Sequence, residues 1–293
     1  MNNYIPQFPL KRVDVGQAAK HTATTPILWV YGRSSISFGP ECLKWQIYLL
    51  FNGIQFQLKA INEANASPNN RLPFLELPHR EGQRAVLLKD DEIKGYVEGV
   101  TGSEPAEMEA HESELLQLVE KQLRASFLTY HFFVESSSRD TPNLYFPASK
   151  DNKLVEVQRM HRYNRMQASL SVEIAKVVQG KDDLEQTRTT LSAWFFARMF
   201  PSTEPYEAVP IDVEAVDRIA ADTLAHLSSR LGSAEWVLGK DKPSYVDASL
   251  FAYLYLTLSL LPPTSHLRRR LTGHINLTHY TQHIASDFLK ARI

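Results

Sequence analysis

Between Ser244 and Pro263 the chain carries a helix that cannot lie on a surface. Leu250, Phe251, Ala252, Tyr253, Leu254, Tyr255, Leu256, Leu258, Leu260 and Leu261 leave it no polar face, and a helix that is apolar all round has to be wrapped by neighbours. Ser244, followed three residues later by Asp247, fits a capping box: the serine oxygen accepts a first-turn N–H and the carboxylate reaches back to the serine N–H. Pro262-Pro263 stops the helix. Thr257 and Ser259 interrupt the apolar run, and the prolines end it short of the roughly 20 apolar residues that a bilayer span requires. The segment therefore reads as the buried centre of an all-helical unit filling the C-terminal two thirds of the chain.

The flanking pattern agrees. Leu116, Val119, Leu123, Phe127 and Tyr130 form one helical stripe, and Val157, Met160, Leu170, Ile174 and Val178 a second. Val216, Ile219, Leu224, Leu227 and Leu231 mark a third, and Leu277, Tyr280, Ile284 and Leu289 a last helix on the outside. The segments 136–150 and 201–210 read as long loops.

The N-terminal third has another rhythm. After an irregular arm over residues 1–25, Ile27-Leu28-Trp29-Val30-Tyr31 is a short β-forming run between Pro26 and Gly32. Pro40-Glu41 suits a helix start, Leu43, Ile47, Leu50 and Phe51 follow at helical spacing, and Asn52-Gly53 ends the helix. Ile54 to Leu58 alternates like a strand. Pro73 opens a third strand through Leu77, His79 to Gln83 makes a hairpin turn, and Ala85 to Leu88 returns. Asp90-Asp91 can cap a short closing helix that contains Ile93, Tyr96 and Val97. The order β-α-β-β-β-α is that of a thioredoxin-like module. The expected fold class is thus α/β plus all-α: a thioredoxin-like domain over 26–100, a linker, and a helical domain over 105–293.

Lysine plus arginine (32) nearly cancels aspartate plus glutamate (33), which gives no footprint for a general nucleic-acid binder. The one basic cluster, Arg268-Arg269-Arg270, reads as a solvated helix face or C-terminal turn. Cys42 is the single cysteine, which excludes an intramolecular disulfide framework; one residue into an apolar helix face, it reads as packing rather than as a nucleophile. Met1 to Val15 contains Pro6 and Pro9 and no continuous apolar segment, unlike a secretory signal.

These elements together resemble the glutathione transferase superfamily, in which a capping box like Ser244/Asp247 opens the central helix behind a turn like Leu238-Gly239, and a cis-proline stands where Pro73 does. A narrower resemblance is to the metaxins and their fungal counterparts. It is carried by Phe38-Gly39-Pro40-Glu41-Cys42-Leu43, by Ala64-Asn65-Ala66-Ser67-Pro68 with Leu72-Pro73-Phe74, and by residues 238–283. This resemblance implies a peripheral subunit, of the metaxin-2-like branch, on the cytosolic face of the mitochondrial outer membrane. Such a subunit helps receive and insert β-barrel precursor proteins in the sorting and assembly machinery. It also implies as partners an outer-membrane β-barrel assembly subunit and a second metaxin-like subunit, no cofactor, no catalytic step, and membrane association through partners. A C-terminal membrane anchor is not expected.

The alternative is a glutathione-dependent transferase of the serine type. A hydroxyl just after the first strand would then activate the thiol, with Ser34 and Ser35 as the candidates beside Tyr31 and Ser37. Pro73 and Asp90 would hold the peptide. However, Lys89-Asp90 stands where such enzymes have a Glu-Ser pair, and an aspartate there repels a γ-glutamyl carboxylate. His279, His283 and Asp287 share a four-residue spacing, but they read as a solvated helix face rather than a metal site. No metal ligand is assigned. The aromatic pair Tyr145-Phe146, between Pro142 and Pro147, suits either a partner contact or a loop folded back on its own domain.

Overall fold

The computed structural model describes residues 23–33, 35–61, 67, 71–102, 109–134, 140–147, 153–180 and 208–289. Ser34, most of the loop 62–70, most of the N-terminal arm and most of 181–210 lie outside the described residues. Strands β1 (Ile27–Val30), β2 (Gln57–Ala60), β3 (Phe74–Glu76) and β4 (Leu87–Leu88) form one sheet in the order β2-β1-β3-β4. β1 runs parallel to β2, with Ile27 opposite Gln57, and antiparallel to β3, with Leu28 opposite Leu75. β3 and β4 are antiparallel. The Leu72–Pro73 peptide bond before β3 is cis.

Helix α1 (Pro40–Phe51) connects β1 to β2, and α2 (Asp91–Thr101) follows β4. Leu28, Val30 and Leu75 have no solvent exposure and share one core with Leu43, Ile47, Ile93 and Val97. The alternate residues of the sheet form a second face. There Trp29 stacks on Phe74 with ring centroids 5.9 Å apart, its indole N–H donates to the buried Glu76 carboxylate at 2.7 Å, and the Lys59 ammonium lies 5.3 Å from the indole ring.

α1 ends on a glycine for a definite reason. Gly53 adopts φ 67°, and its N–H and that of Ile54 return to the carbonyls of Leu50 and Leu49 at 3.0 Å each, a Schellman closure that a residue with a Cβ resists. The same bonds explain why β2 starts later than the alternation of Ile54 to Leu58 suggests. Ile54 is still bonded to α1, and sheet pairing begins where Gln57 donates to the Pro26 carbonyl at 2.9 Å.

The remaining elements are helical. α3 (Ala110–Gln117), a π-helical stretch (Leu118–Leu123) and α4 (Arg124–Phe132) follow one another without a break. Leu115, Val119, Leu123 and Phe127 are fully buried at a strict interval of four. At 3.6 residues per turn such a repeat drifts by about 40° per step, and the wider π winding takes up the excess. A short helix, α5 (Thr141–Tyr145), interrupts what the sequence presents as a loop, and α6 (Lys153–Gln179) follows. On α6 the buried side passes through Tyr163 and Ile174, whereas Val157 is 66% exposed, so the stripe drawn from Val157 is corrected. α7 (Val213–Leu231) is capped by Asp212, whose side chain accepts the Ala215 N–H at 2.9 Å. α8 (Tyr245–Leu260), α9 (His266–Gly273) and α10 (Ile275–Ile284) complete the set, with a π turn over Ala285–Leu289. Among the described residues no helix is long and apolar enough to cross a membrane.

α8 lies at the centre. Its capping box is formed, with Ser244 Oγ accepting the Asp247 N–H at 3.2 Å and Asp247 Oδ2 accepting the Ser244 N–H at 2.8 Å. The carboxylate also takes the Ser244 hydroxyl at 2.6 Å, the Val237 N–H at 2.8 Å and the Tyr280 hydroxyl at 2.9 Å. Asp247 has no solvent exposure. It therefore joins the preceding turn, the start of α8 and helix α10.

Asp247→Ala removes the carboxylate half of the capping box and strands two buried donors, Val237 N–H and Tyr280 O–H. Caps contribute about 1 kcal/mol and each orphaned buried donor costs about 1–3 kcal/mol, so the expected loss is roughly 3–7 kcal/mol in denaturant unfolding. Ser244→Ala is expected to lose about 1 kcal/mol. Equal losses for the two variants would show that the contacts to Val237 and Tyr280 are dispensable.

Candidate functional site at the seam between sheet and helices

The loop from Tyr31 to Gly39 leads β1 into α1, and Ser37 within it is turned inward. Ser37, 1% exposed, donates its hydroxyl to the Tyr31 carbonyl at 2.5 Å and accepts the Gly39 N–H at 3.2 Å. Gln46, fully buried on α1, accepts the Ser37 N–H at 3.1 Å and donates to the Ser35 carbonyl at 2.8 Å. Ser35 is thus fixed through its backbone. Ser34 lies outside the described residues. Cys42 is buried and its Sγ accepts the Tyr31 N–H at 3.5 Å; burial pushes its thiol up to about 12. It is therefore protonated near neutrality and is no nucleophile.

The first turn of α1 faces a set of charges that the sequence reading passed over. Arg124 Nη1 donates to Glu41 Oε1 at 2.7 Å, and Lys44 Nζ lies 2.6 Å from Glu41 Oε2 and 3.0 Å from Glu120 Oε1. Ser249 and Tyr253 of α8 donate to Glu120 at 2.8 and 3.3 Å, and Tyr253 also reaches Glu41 at 3.1 Å. Arg124 extends the chain to Glu173 of α6 at 2.6 Å. Burial alone would raise the Glu41 carboxyl, but Lys44 and Arg124 outweigh it and hold Glu41 below the ordinary carboxylate value. Burial likewise disfavours the Lys44 ammonium, and Glu41 and Glu120 more than offset it. Both remain charged. The π stretch carries Glu120 to this point, and a helix interruption of that kind commonly marks a site.

Beside the charges lies an aromatic cluster. Tyr145 of α5, 4% exposed, has its ring 5.3 Å from Tyr31, 5.2 Å from Phe38, 5.2 Å from Phe132 and 5.9 Å from His131. The Tyr145-Phe146 pair is therefore folded onto its own chain. His131 stacks on Phe127 at 5.2 Å, and neither of its ring nitrogens has a hydrogen-bond partner. Burial pulls it down to about 4.

The other predicted residues are spread over several connections. Pro73 precedes β3, and Asp90 stands exposed between β4 and α2. Asp90 occupies the N-cap position with φ 41° but caps nothing through its side chain; Glu92 Oε2 instead accepts the Lys89 N–H at 3.0 Å. The capping role expected of Asp90 is thus corrected. At this φ a carboxylate cannot be aimed back at the first turn as an extended N-cap residue aims it. Ser244 and Asp247 are brought into direct contact, as described above. Two of the arginine triplet are structural: Arg268 donates to the Leu261 carbonyl at 2.6 Å and Arg270 pairs with Asp217. His283 lies 3.2 Å from Asp287 and 3.7 Å from Glu235 on an exposed face, and among the described residues no three His, Cys, Asp or Glu side chains are grouped to hold a metal.

Two family models match the chain. One, described as glutathione S-transferase N-terminal domain, covers residues 40–139, and the other, glutathione S-transferase C-terminal domain, covers residues 220–284. The mitochondrial outer membrane import complex protein METAXIN of Arabidopsis thaliana is 38% identical over 72 residues, 25% of this chain and 22% of that protein. Metaxin-1 of Macaca fascicularis is 39% identical over 84 residues, 27% of this chain and 26% of that protein. The matched stretch thus spans about a quarter of these relatives. Among solved structures, glutathione transferase GSTFuA3 of Phanerochaete chrysosporium aligns with TM-score 0.52 at 14% identity, over 91% of this chain and 98% of that one. The beta-etherase LigF of a Sphingobium strain aligns with TM-score 0.50 at 12% identity, over 89% and 95%. These similarities establish the fold: a thioredoxin-like sheet domain and a helical domain in the glutathione transferase arrangement.

His131 supplies a pH test. Its folded value of about 4 lies below the ordinary 6.5, so the unfolded chain takes up the proton first. Stability is then independent of this group above about pH 6.5 and falls by about 3 kcal/mol between pH 6.5 and 4. Urea titrations across that range should show the slope in the wild type and its loss in His131→Phe. A slope unchanged by the substitution would assign it to other groups.

Proposed function

We infer, for a chain that is metaxin-like in sequence and glutathione transferase-like in fold, a role as a non-catalytic subunit of the import apparatus of the mitochondrial outer membrane. In this reading it sits peripherally on the cytosolic face, held by an outer-membrane β-barrel assembly subunit and a second metaxin-like subunit. There it helps β-barrel precursors reach the sorting and assembly machinery. The name of the Arabidopsis thaliana relative, a mitochondrial outer membrane import complex protein, supports the membrane and the import role.

The observation that carries the non-catalytic part is Glu41. A transferase of this fold would stabilise a thiolate near the start of α1, where helix N–H groups favour an anion. Here the protein's own carboxylate stands in that first turn, clamped by Arg124, Lys44 and Tyr253. A second anion would meet repulsion. The hydroxyl of Ser37 is committed to backbone groups and Cys42 is a buried thiol, which supports the same reading. The proposal includes the division into a thioredoxin-like domain over 26–100 and a helical domain over 105–293, with Pro73, Ser244 and Asp247 as structural residues.

Affinity purification from mitochondria in mild detergent tests it. The expected outcome is co-elution with an outer-membrane β-barrel protein and with a second metaxin-like chain. Recovery as a free monomer would count against the role. Retention on immobilised glutathione, with thiol-transfer activity lost in Ser34→Ala or Ser35→Ala, would replace it by the transferase reading.

A further inference from the structure

A net charge of -1 hides an uneven distribution along the chain. Over residues 248–286 the chain carries Arg268, Arg269, Arg270 and four histidines, but no lysine, aspartate or glutamate. Much of the exposed surface of that stretch lies at the corner where α9 ends on Gly273 and α10 begins at Ile275. His274, the one residue between them, donates its N–H to the Leu271 carbonyl at 3.0 Å and so turns the chain sharply. Leu267 and Leu271 are buried on one side of α9, and Leu277, Tyr280 and Ile284 on one side of α10. The outward sides therefore present His266, Arg269 and Arg270 on α9 and Ile275 and His279 on α10.

The positive charge of this corner is only partly answered. Asp217 of α7 faces it, but that carboxylate pairs with Arg270 and also accepts from Tyr130 at 2.9 Å. Arg268 donates to the Leu261 carbonyl, a neutral partner that leaves its charge in place. Arg269 is exposed and, among the described residues, has no carboxylate partner. Three arginines thus meet one carboxylate. Beside them Ile275 is 67% exposed, the most exposed large apolar side chain among the described residues.

We propose that the corner between α9 and α10 is a contact for an anionic lipid surface, with Ile275 entering among the headgroups while Arg269 meets lipid phosphates and Arg268 adds its unanswered charge. Each basic residue near an anionic leaflet strengthens binding about fivefold, and apolar insertion adds to the attraction. The corner offers one protruding aliphatic side chain among cations, which suits a deformable plane; an acidic polypeptide is held better by a groove or a free strand edge. Two net charges and one side chain bind weakly alone. The contact therefore orients a chain that is already tethered through its partners, where the effective concentration of lipid is high. The choice of a lipid surface rests on the peripheral-membrane reading above, and it decides which side of the helical domain faces the membrane.

The test uses the purified full chain at low salt, with vesicles of phosphatidylcholine alone or with about one third phosphatidylglycerol. In flotation the wild type is expected to partition at least about fivefold more strongly onto the anionic vesicles. Arg269→Gln should reduce that partition about fivefold, and Ile275→Ser about threefold or more. Cys42 is the single cysteine and is buried, so Ile275→Cys can be labelled selectively with a polarity-sensitive dye. Its emission should move to the blue on anionic vesicles, while the same dye on Val86→Cys, at a position 55% exposed in the sheet domain, should not respond. Absence of a preference for anionic vesicles, equal responses at the two labelled positions, or a partition indifferent to Arg269→Gln overturns the lipid contact. Displacement from the vesicles by a polyglutamate peptide, with Ile275→Ser binding like the wild type, assigns the corner to an acidic polypeptide and overturns it as well. The result is separate from the co-elution experiment: a chain that elutes with a β-barrel partner but ignores vesicles keeps the assembly role and loses this contact.

Discussion

A single buried carboxylate organises the helical half of this protein. Asp247 is withdrawn from water, yet it accepts from Ser244 N–H, Ser244 O–H, Val237 N–H and Tyr280 O–H. A carboxylate in such a place is tolerated only when its lone pairs are filled by donors, and here each donor comes from a segment that must be positioned for the bond to form. The turn before α8, the first turn of α8 and the middle of α10 are therefore fixed relative to one another by one side chain. Burial also keeps Tyr280 a neutral donor, since desolvation and the neighbouring Asp247 both raise its hydroxyl well above its ordinary value.

From that fixed start α8 runs through the core and meets α1. Its wall toward the sheet domain is mostly apolar, but Ser249 and Tyr253 interrupt it to reach Glu120 and Glu41. These bonds work only because Glu120 is presented by the π stretch and Lys44 is drawn into the same place. Breaking a buried pair by removing one partner leaves an uncompensated charge. The network therefore constrains how the two halves meet more than it adds to net stability. It links α1, the π stretch, α4 and α6 through five charged side chains and reaches α8 through the hydroxyls of Ser249 and Tyr253.

Much of this was legible in the sequence. The capping box, the all-apolar α8, the glycine closure of α1 and the order of strands each follow from local chemistry, and local chemistry is what a single sequence carries. The failures have physical causes too. The alternation from Ile54 to Leu58 reports burial, but sheet pairing is set by a backbone bond to Pro26 that no side-chain pattern records. Asp90 reads as a cap, yet its backbone at φ 41° turns the side chain away from that duty. The charge network was missed because its members are far apart in sequence, with Glu41 and Glu173 joined through Arg124. One signal was available: Lys44 and Gln46 stand inside the run from Cys42 to Leu49, all of it buried, and a polar residue at a core position calls for a partner.

The same network bears on how a transferase-like scaffold can be put to another use. The N-terminus of a helix carries a partial positive charge that an enzyme can reserve for its substrate. In this chain Pro40 starts α1 without a side-chain cap, and Glu41 supplies the negative charge from within the first turn. Once Arg124 and Lys44 hold that carboxylate, the electrostatic demand of the helix end is met internally and the seam has no unpaired cationic group for a peptide thiolate to answer among these residues. What the seam retains is the aromatic seat beneath Tyr145, with unmet hydrogen bonds at His131 and Tyr163.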